Sequence, residues 1–170
     1  MTAVACAYCA FDDRCSAEGI LRSFIHQLLV QRPALLPLAQ EVYNEYRLQR
    51  TDPPFARVVG LLHSLVDSLG GTYIVVDGLD EIGGEKEKAL LLDELKKLSA
   101  RVLIFSRPLA LHLKYLPSAN IVTVHALDDD IERFVVSSLL HHPSSQASIN
   151  GEGGLVHDVA VRIRERSRGV

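Results

Sequence analysis

An aspartate that closes an apolar run, with two more carboxylates three and four residues on, can hold a metal ion and act on water. The chain carries this arrangement as Tyr73-Ile74-Val75-Val76-Asp77-Gly78-Leu79-Asp80-Glu81. Magnesium usually takes one or two carboxylates, keeps most of its waters and bridges to substrate phosphates, so a carboxylate at a strand end suits it. A second carboxylate nearby can orient or deprotonate an attacking water. A second apolar run, Arg101-Val102-Leu103-Ile104-Phe105, leads into Ser106-Arg107-Pro108. An arginine at the end of a neighbouring strand can reach a γ-phosphate, whose charge spreads in the transition state. Asp77, Asp80, Glu81 and Arg107 are therefore the residues whose placement matters.

The elements that must position them can be read from periodicity. Thr72–Val76 is an uninterrupted β-branched and aromatic run bounded by glycine, which predicts a strand covered on both faces, as in a parallel sheet. Val4–Phe11 and Arg101–Phe105 read as buried strands of the same kind, and Ile121–Val124 as a further one. Between them lie helices. Ser16 suits an N-cap, Glu18 the first turn, and Ile20, Leu21, Phe24, Ile25, Leu28 and Leu29 recur at helical spacing, so Ala17–Gln31 is an amphipathic helix. Pro33 ends it. Leu38–Arg50 is a weaker helix, and another runs from the Pro53-Pro54 break to about Leu69, ahead of Gly70-Gly71. Glu85–Ser99 is a helix with Leu91, Leu92, Leu95 and Leu98 inward and Glu87 on the wet side. A short helical piece covers Leu109–Tyr115. Asp128–Leu140 begins with three aspartates at the positive end of its dipole. After a Ser/Gly-rich stretch, Pro143–Gly154, a last helix covers Leu155–Arg168.

Strands alternating with helices give an α/β fold with a parallel sheet and helices on both faces through right-handed crossovers. In such sheets ligands bind beyond the carboxyl ends of the strands, which is where the four residues fall.

Composition narrows the classes. The 170 residues are 48% hydrophobic and 23% charged, which excludes a disordered chain. The formal net charge is −3, so no global basic field draws the chain to nucleic acid or to a membrane surface. No apolar run approaches the roughly 20 residues of a membrane helix. Cys6, Cys9 and Cys15 make an odd, bunched set, which argues for a reducing, cytoplasmic compartment rather than a disulfide scaffold. Cys6 and Cys9 form a C-x-x-C, but in a strand they point to opposite faces and have no second pair to complete a metal site. His141-His142 reads as a loop feature. Arg162, Arg164, Arg166 and Arg168 spread around their helix and suit its C-terminus. A phosphoacceptor reading of Asp77 lacks its partner lysine, because Lys114 falls on a short helix and not at a strand end.

The full string Tyr73–Glu81 resembles the extended Walker B motif of NACHT-type signalling NTPases, a branch of the STAND class of P-loop ATPases and GTPases. Arg101-Val102-Leu103-Ile104-Phe105-Ser106-Arg107-Pro108 is similar to that family's next strand and its sensor arginine. Tyr8-Cys9-Ala10-Phe11 and Ile20–Leu29 are similar to the strand and helix after the P-loop helix, and Asp128–Val135 to the helix after the last core strand. The nephrocystin-like N-terminal type of NACHT domain, found in large fungal and animal receptor-type proteins, is the nearest in flavour. The resemblance implies a three-layer P-loop NTPase-like sheet. It implies Mg²⁺ held through water by Asp77, catalytic or switch carboxylates at Asp80 and Glu81, and contact to ATP or GTP by Ser106 and Arg107. It also implies protein partners, either further copies or NACHT-containing relatives, rather than nucleic acid or membrane.

The family's Gly-x-x-x-x-Gly-Lys-Ser/Thr loop, whose backbone N–H groups and lysine cradle phosphates, has no counterpart in the 170 residues. Gly83-Gly84-Glu85-Lys86 has the wrong order, and Gly151-Glu152-Gly153-Gly154 has no lysine. Residues 1–170 thus read as a partial NACHT core that starts at the family's second strand and lacks its first. Two functions follow as expectations: a piece of a nucleoside-triphosphatase switch that is inactive by itself, or a catalytically dead interaction and oligomerisation module. In the family the absent first strand lies beside the sensor strand, so Arg101–Phe105 is expected to expose an edge or to pair with Ile121–Val124.

Overall fold

The computed structural model describes residues 2–10, 15–48, 50–108, 114–124, 127–141 and 153–167. The chain divides into two compact units, Met1–Ala119 and Asn120–Val170.

In the first unit three parallel strands lie in the order β1-β2-β3, with β1 at Ala3–Tyr8, β2 at Thr72–Asp77 and β3 at Arg101–Phe105. Helices α1 (Ala17–Gln31), α2 (Leu36–Arg47), α3 (Phe55–Ser68) and α4 (Glu85–Leu95) surround them, so the class is α/β as the alternation predicts. Period-2 geometry sorts the strand residues into two faces. Ala3, Ala5, Ala7, Ile74 and Val76 are buried with Leu21, Phe24 and Leu28 of α1, Leu62, Leu65 and Val66 of α3, and Leu91, Leu92 and Leu95 of α4. Burying each of the larger side chains contributes about 1.5–3 kcal/mol. α1 packs along β1, and the small alanines of the strand leave room for its bulky apolar face.

The opposite face is not sealed to the same degree. Val4, Tyr8, Tyr73, Leu103 and Phe105 lie on it and are exposed. The continuous apolar run of β2 thus has an alternating burial and not the two buried faces expected of it.

α1 starts as its sequence dictates, with the Gly19 N–H donating to Ser16 Oγ at 3.1 Å and Glu18 pairing with Arg22. Glu87 departs from the expectation of a solvated position. Its Oε2 accepts the Ala17 N–H at 2.8 Å, so a carboxylate from α4 satisfies an orphan donor at the positive end of α1. Two single turns of 3-10 helix, Pro33–Leu35 and Leu79–Glu81, were not legible as separate elements.

The outer edge of β1 is closed by α1. Gln27 Nε2 donates to the Cys6 carbonyl at 2.7 Å while the Cys6 N–H donates to Gln27 Oε1 at 2.9 Å. One turn on, Gln31 Nε2 donates to the Val4 carbonyl at 2.6 Å and the Val4 N–H donates to Gln31 Oε1 at 3.1 Å. Two side-chain amides at i, i+4 spacing thus take the place of a neighbouring strand.

The second unit contains α5 (Asp128–His141) and α6 (Gly153–Ser167), which pack on each other with Val135, Val156 and Ala160 buried. Glu132 of α5 pairs with Arg164 Nη1 at 3.3 Å and lies 3.5 Å from His157 Nδ1, both on α6. Arg164 therefore serves an interhelical ion pair as well as a helix end. The expected strand Ile121–Val124 is not one: the segment joins no ladder, and Val124 is 84% exposed. β propensity needs a partner strand, and among the described residues this run has none. Lys114 and Tyr115 are helical, whereas 109–113 of the expected short helix lie outside the described residues, as do Phe11, His142 and Arg168.

Candidate functional site

The register brings the site together. Tyr8 of β1, Asp77 of β2 and Phe105 of β3 lie side by side at the carboxyl ends of the strands. The chain then turns sharply, and Gly78 makes the turn possible. Its φ is +75°, a left-handed conformation costly for residues with a Cβ, and a Cβ there would lie 2.6 Å from the Cys9 carbonyl oxygen. The turn is stitched to both flanking strands, since the Cys9 N–H donates to the Asp77 carbonyl at 2.9 Å and the Gly78 N–H to the Phe105 carbonyl at 3.1 Å. Buried Leu79 and Ile82 anchor the Leu79–Glu81 turn from below, and Lys88 Nζ of α4 donates to the Asp80 carbonyl at 2.7 Å.

The turn and anchors aim the Asp80 carboxylate at the end of β3. Asp80 Oδ1 accepts the Ser106 hydroxyl at 3.2 Å and the Arg107 backbone N–H at 3.1 Å. Asp80 Oδ2 pairs with Arg107 Nε at 2.8 Å. Burial pushes the Asp80 carboxyl up, but the Arg107 N–H, the Ser106 hydroxyl and the Arg107 guanidinium outweigh it and hold the group below the ordinary carboxyl range. The Asp80 side chain is only 13% exposed and that of Arg107 is 74% exposed, so the arginine is anchored at one nitrogen and otherwise open to solvent.

Asp77 and Glu81 are differently placed. Asp77 is exposed and Glu81 half-buried, and among the described residues neither carboxylate takes a hydrogen bond or an ion pair. No group of three or more His, Cys, Asp or Glu among the described residues could share a metal ion. A cation at Asp77 would therefore have to draw its other ligands from water or a bound ligand and not from a protein cage. Beneath the turn, burial pushes the Cys9 thiol up to about 11, assisted by its hydrogen-bonded neighbour Cys15 and by the charges of Asp77 and Glu81. Sequence spacing paired Cys9 with Cys6, but the fold sets it against Cys15 and the acidic turn.

Sequence reasoning placed Asp77, Asp80, Glu81, Ser106 and Arg107 at neighbouring strand ends, and the structure brings them there. What it missed is the latch within them. The only signal for it was the coincidence of an aspartate three residues beyond one strand and a Ser-Arg pair directly beyond the next.

A parallel α/β core with a polar turn at the carboxyl ends of its strands has the general form of a ligand-binding α/β domain. The family model described as Nephrocystin 3, N-terminal matches residues 1–107 of the 170, and the chain belongs to that family. The match ends on Arg107 and so takes in all three strands and all five site residues. Comparison with curated proteins and with solved structures finds no match. No helix among the described residues is long and apolar enough to cross a membrane.

Proposed function

We propose that the chain is the acidic-turn and sensor part of a NACHT-type nucleotide switch, acting in a cytoplasmic, reducing compartment, and that these 170 residues do not turn over nucleotide by themselves. The observation that carries the reading is the Asp80–Arg107 latch across the carboxyl ends of β2 and β3. An arginine tethered at Nε and otherwise open can exchange its carboxylate for a phosphate, because both are planar or tetrahedral oxyanions that a guanidinium pairs equally well. A γ-phosphate beside Asp77 would compete with Asp80 for Arg107, and the state of that ion pair would report whether nucleoside triphosphate or diphosphate is bound. When bound, Mg²⁺ would neutralise phosphate charge, with Asp77 as its protein carboxylate. Asp80 commits both oxygens to the latch, so Glu81 is the carboxylate left to orient a water.

The missing Gly-x-x-x-x-Gly-Lys-Ser/Thr loop sets the limit on activity. Without a row of backbone N–H groups and a lysine, the phosphates have Arg107 and little else. Titration of the chain with fluorescent ATP and GTP in the presence of Mg²⁺ is expected to show no micromolar binding. Micromolar affinity abolished by Asp77→Ala would overturn the claim that the loop is needed. Sequencing the transcript upstream of the Met1 codon tests the family part. An in-frame phosphate loop there would support the nucleotide switch for the complete protein, whereas its absence would favour the second reading, an interaction module.

A further inference from the structure

The three cysteines, Cys6, Cys9 and Cys15, are all free thiols, and they are differently placed. Cys6 pairs with Val75 in the ladder, on the strand face shared with Val4 and Tyr8. Cys9 follows the strand and is buried, at 8% exposure, and Cys15 is half-buried against the same core. The side chains of Cys9 and Cys15 are hydrogen-bonded to each other across the five residues that separate them in the chain.

Both sides of this contact sit on anchored backbone. The Cys9 N–H donates to the Asp77 carbonyl at 2.9 Å, and the Cys9 carbonyl oxygen fills the space that a Cβ on Gly78 would need. Cys15 directly precedes Ser16, the N-cap of α1, whose Oγ accepts the Gly19 N–H. Glu87 of α4 then accepts the Ala17 N–H at 2.8 Å. One cysteine is tied to the acidic turn and the other to the start of a buried helix. The fold, and not nearness in sequence alone, therefore brings the two sulfurs together, and groups held in contact react at a raised effective concentration.

We propose that Cys9 and Cys15 form a reversible dithiol–disulfide switch beneath the Asp77–Glu81 turn, oxidised by a low-molecular-weight disulfide of the glutathione type. Cys15, the more exposed of the two, attacks one sulfur of that reagent. The reagent's S–S bond breaks, one half leaves as a thiol with the Cys15 proton, and Cys15 is held as a mixed disulfide. The Cys9 sulfur then attacks Cys15 Sγ, the mixed S–S bond breaks, and the second half leaves with the Cys9 proton. Two electrons and two protons pass from the cysteine pair to the reagent, giving one protein disulfide and two small thiols. Cys6 takes no part, since it is held in the ladder and the contact of Cys9 is with Cys15. In a reducing compartment the pair rests as thiols, and its disulfide is a transient response to oxidation.

The switch has a direct route to the turn. Bond formation draws the sulfurs from hydrogen-bond contact to about 2.0 Å. The Cys9 backbone is bonded to Asp77 and packed on Gly78, so the pull passes to the segment that carries Asp77, Asp80 and Glu81. The inference does not rest on nucleotide binding. Its readouts are thiols, peptides and amides, so it and the nucleotide titration fail separately.

Equilibration of the full chain in glutathione buffers of rising oxidised share, followed by acid quenching, alkylation and peptide mapping, tests it. Free thiols are expected to fall from three to one, with Cys9 joined to Cys15, and to return to three with dithiothreitol. The folded chain is expected to oxidise at a ratio of oxidised to reduced glutathione at least about tenfold lower than the same chain in urea, because the fold supplies the contact. Cys9→Ala is expected to stop at the Cys15 mixed disulfide, and Cys6→Ser to leave the midpoint unchanged. Amide exchange at 77–82 is expected to change at least threefold on oxidation. Three free thiols at every ratio overturn the inference. So does a bond that includes Cys6, or a folded chain that oxidises no more readily than the chain in urea. A Cys9–Cys15 disulfide that leaves the 77–82 amides unchanged overturns the switch.

Discussion

At Asp80 three donors converge on one carboxylate, and the consequence is a pH-dependent clasp between two strand ends. Its carboxyl is held below the ordinary value of 3.8, so the group stabilises the fold fully above that value and loses its contribution as pH falls through the lowered one. Asp80→Ala leaves the Arg107 N–H without its acceptor, while the Ser106 hydroxyl keeps the Arg107 carbonyl at 2.8 Å, and is expected to cost about 1–2 kcal/mol at pH 7. Arg107→Ala removes only the solvent-facing partner and is expected to cost less than about 1 kcal/mol. Urea denaturation at pH 7 and pH 3 checks both, and the Asp80→Ala difference should shrink at the lower pH. Cys9 has the opposite sign. The folded chain keeps its proton up to about 11 whereas the unfolded thiol ionises near 9.0, so stability contributed by Cys9 falls as pH rises between those values. Cys9→Ala should flatten the decline in urea stability from about pH 9 to about pH 11. At Gly78 the backbone itself is the constraint. Gly78→Ala combines a left-handed φ with a contact to the Cys9 carbonyl that a Cβ cannot make, and a loss of about 2–3 kcal/mol is expected by the same assay.

At the scale of the element, legibility followed the strength of the local pattern. Ala17–Gln31 and Arg101–Phe105 have the bounds their sequences predict, because a capping serine and a proline bracket the first and charged and small residues bracket the second. α4 stops at Leu95, short of the expected Ser99, where the chain leaves the helix through Lys96 to Ala100. Ile121–Val124 failed for a different reason. Four β-branched or small residues fix a propensity, and a strand is made by a neighbour that propensity does not supply. The strand-end residues of the site were legible because an α/β alternation already says where ligands go, and the Asp80 latch was not, because it joins residues 26 apart. The glutamine seal on β1 was equally hidden. Gln27 and Gln31 read as ordinary polar positions on α1, and only the fold shows that they substitute for a strand. Gln27→Ala with Gln31→Ala should therefore leave α1 folded, since both positions favour alanine by propensity, yet open the β1 edge. The expected outcome is a shift from a discrete species to concentration-dependent larger assemblies in light scattering, with little change in helical content by circular dichroism.

The whole molecule divides its stabilisation unevenly. The buried cluster runs from Ala3 to Leu98 and lies entirely within the first unit, along with every residue of the site and the whole family match. The second unit has α5 and α6 pressed together over Val135, Val156 and Ala160, with one ion-paired glutamate between them. Apolar burial scales with the size of the enclosed core, and a two-helix unit of about 50 residues is near the lower limit for independent folding. Residues 1–119 alone are accordingly expected to unfold in one cooperative urea transition, with a midpoint close to that of the full chain. Residues 120–170 alone are expected to show none.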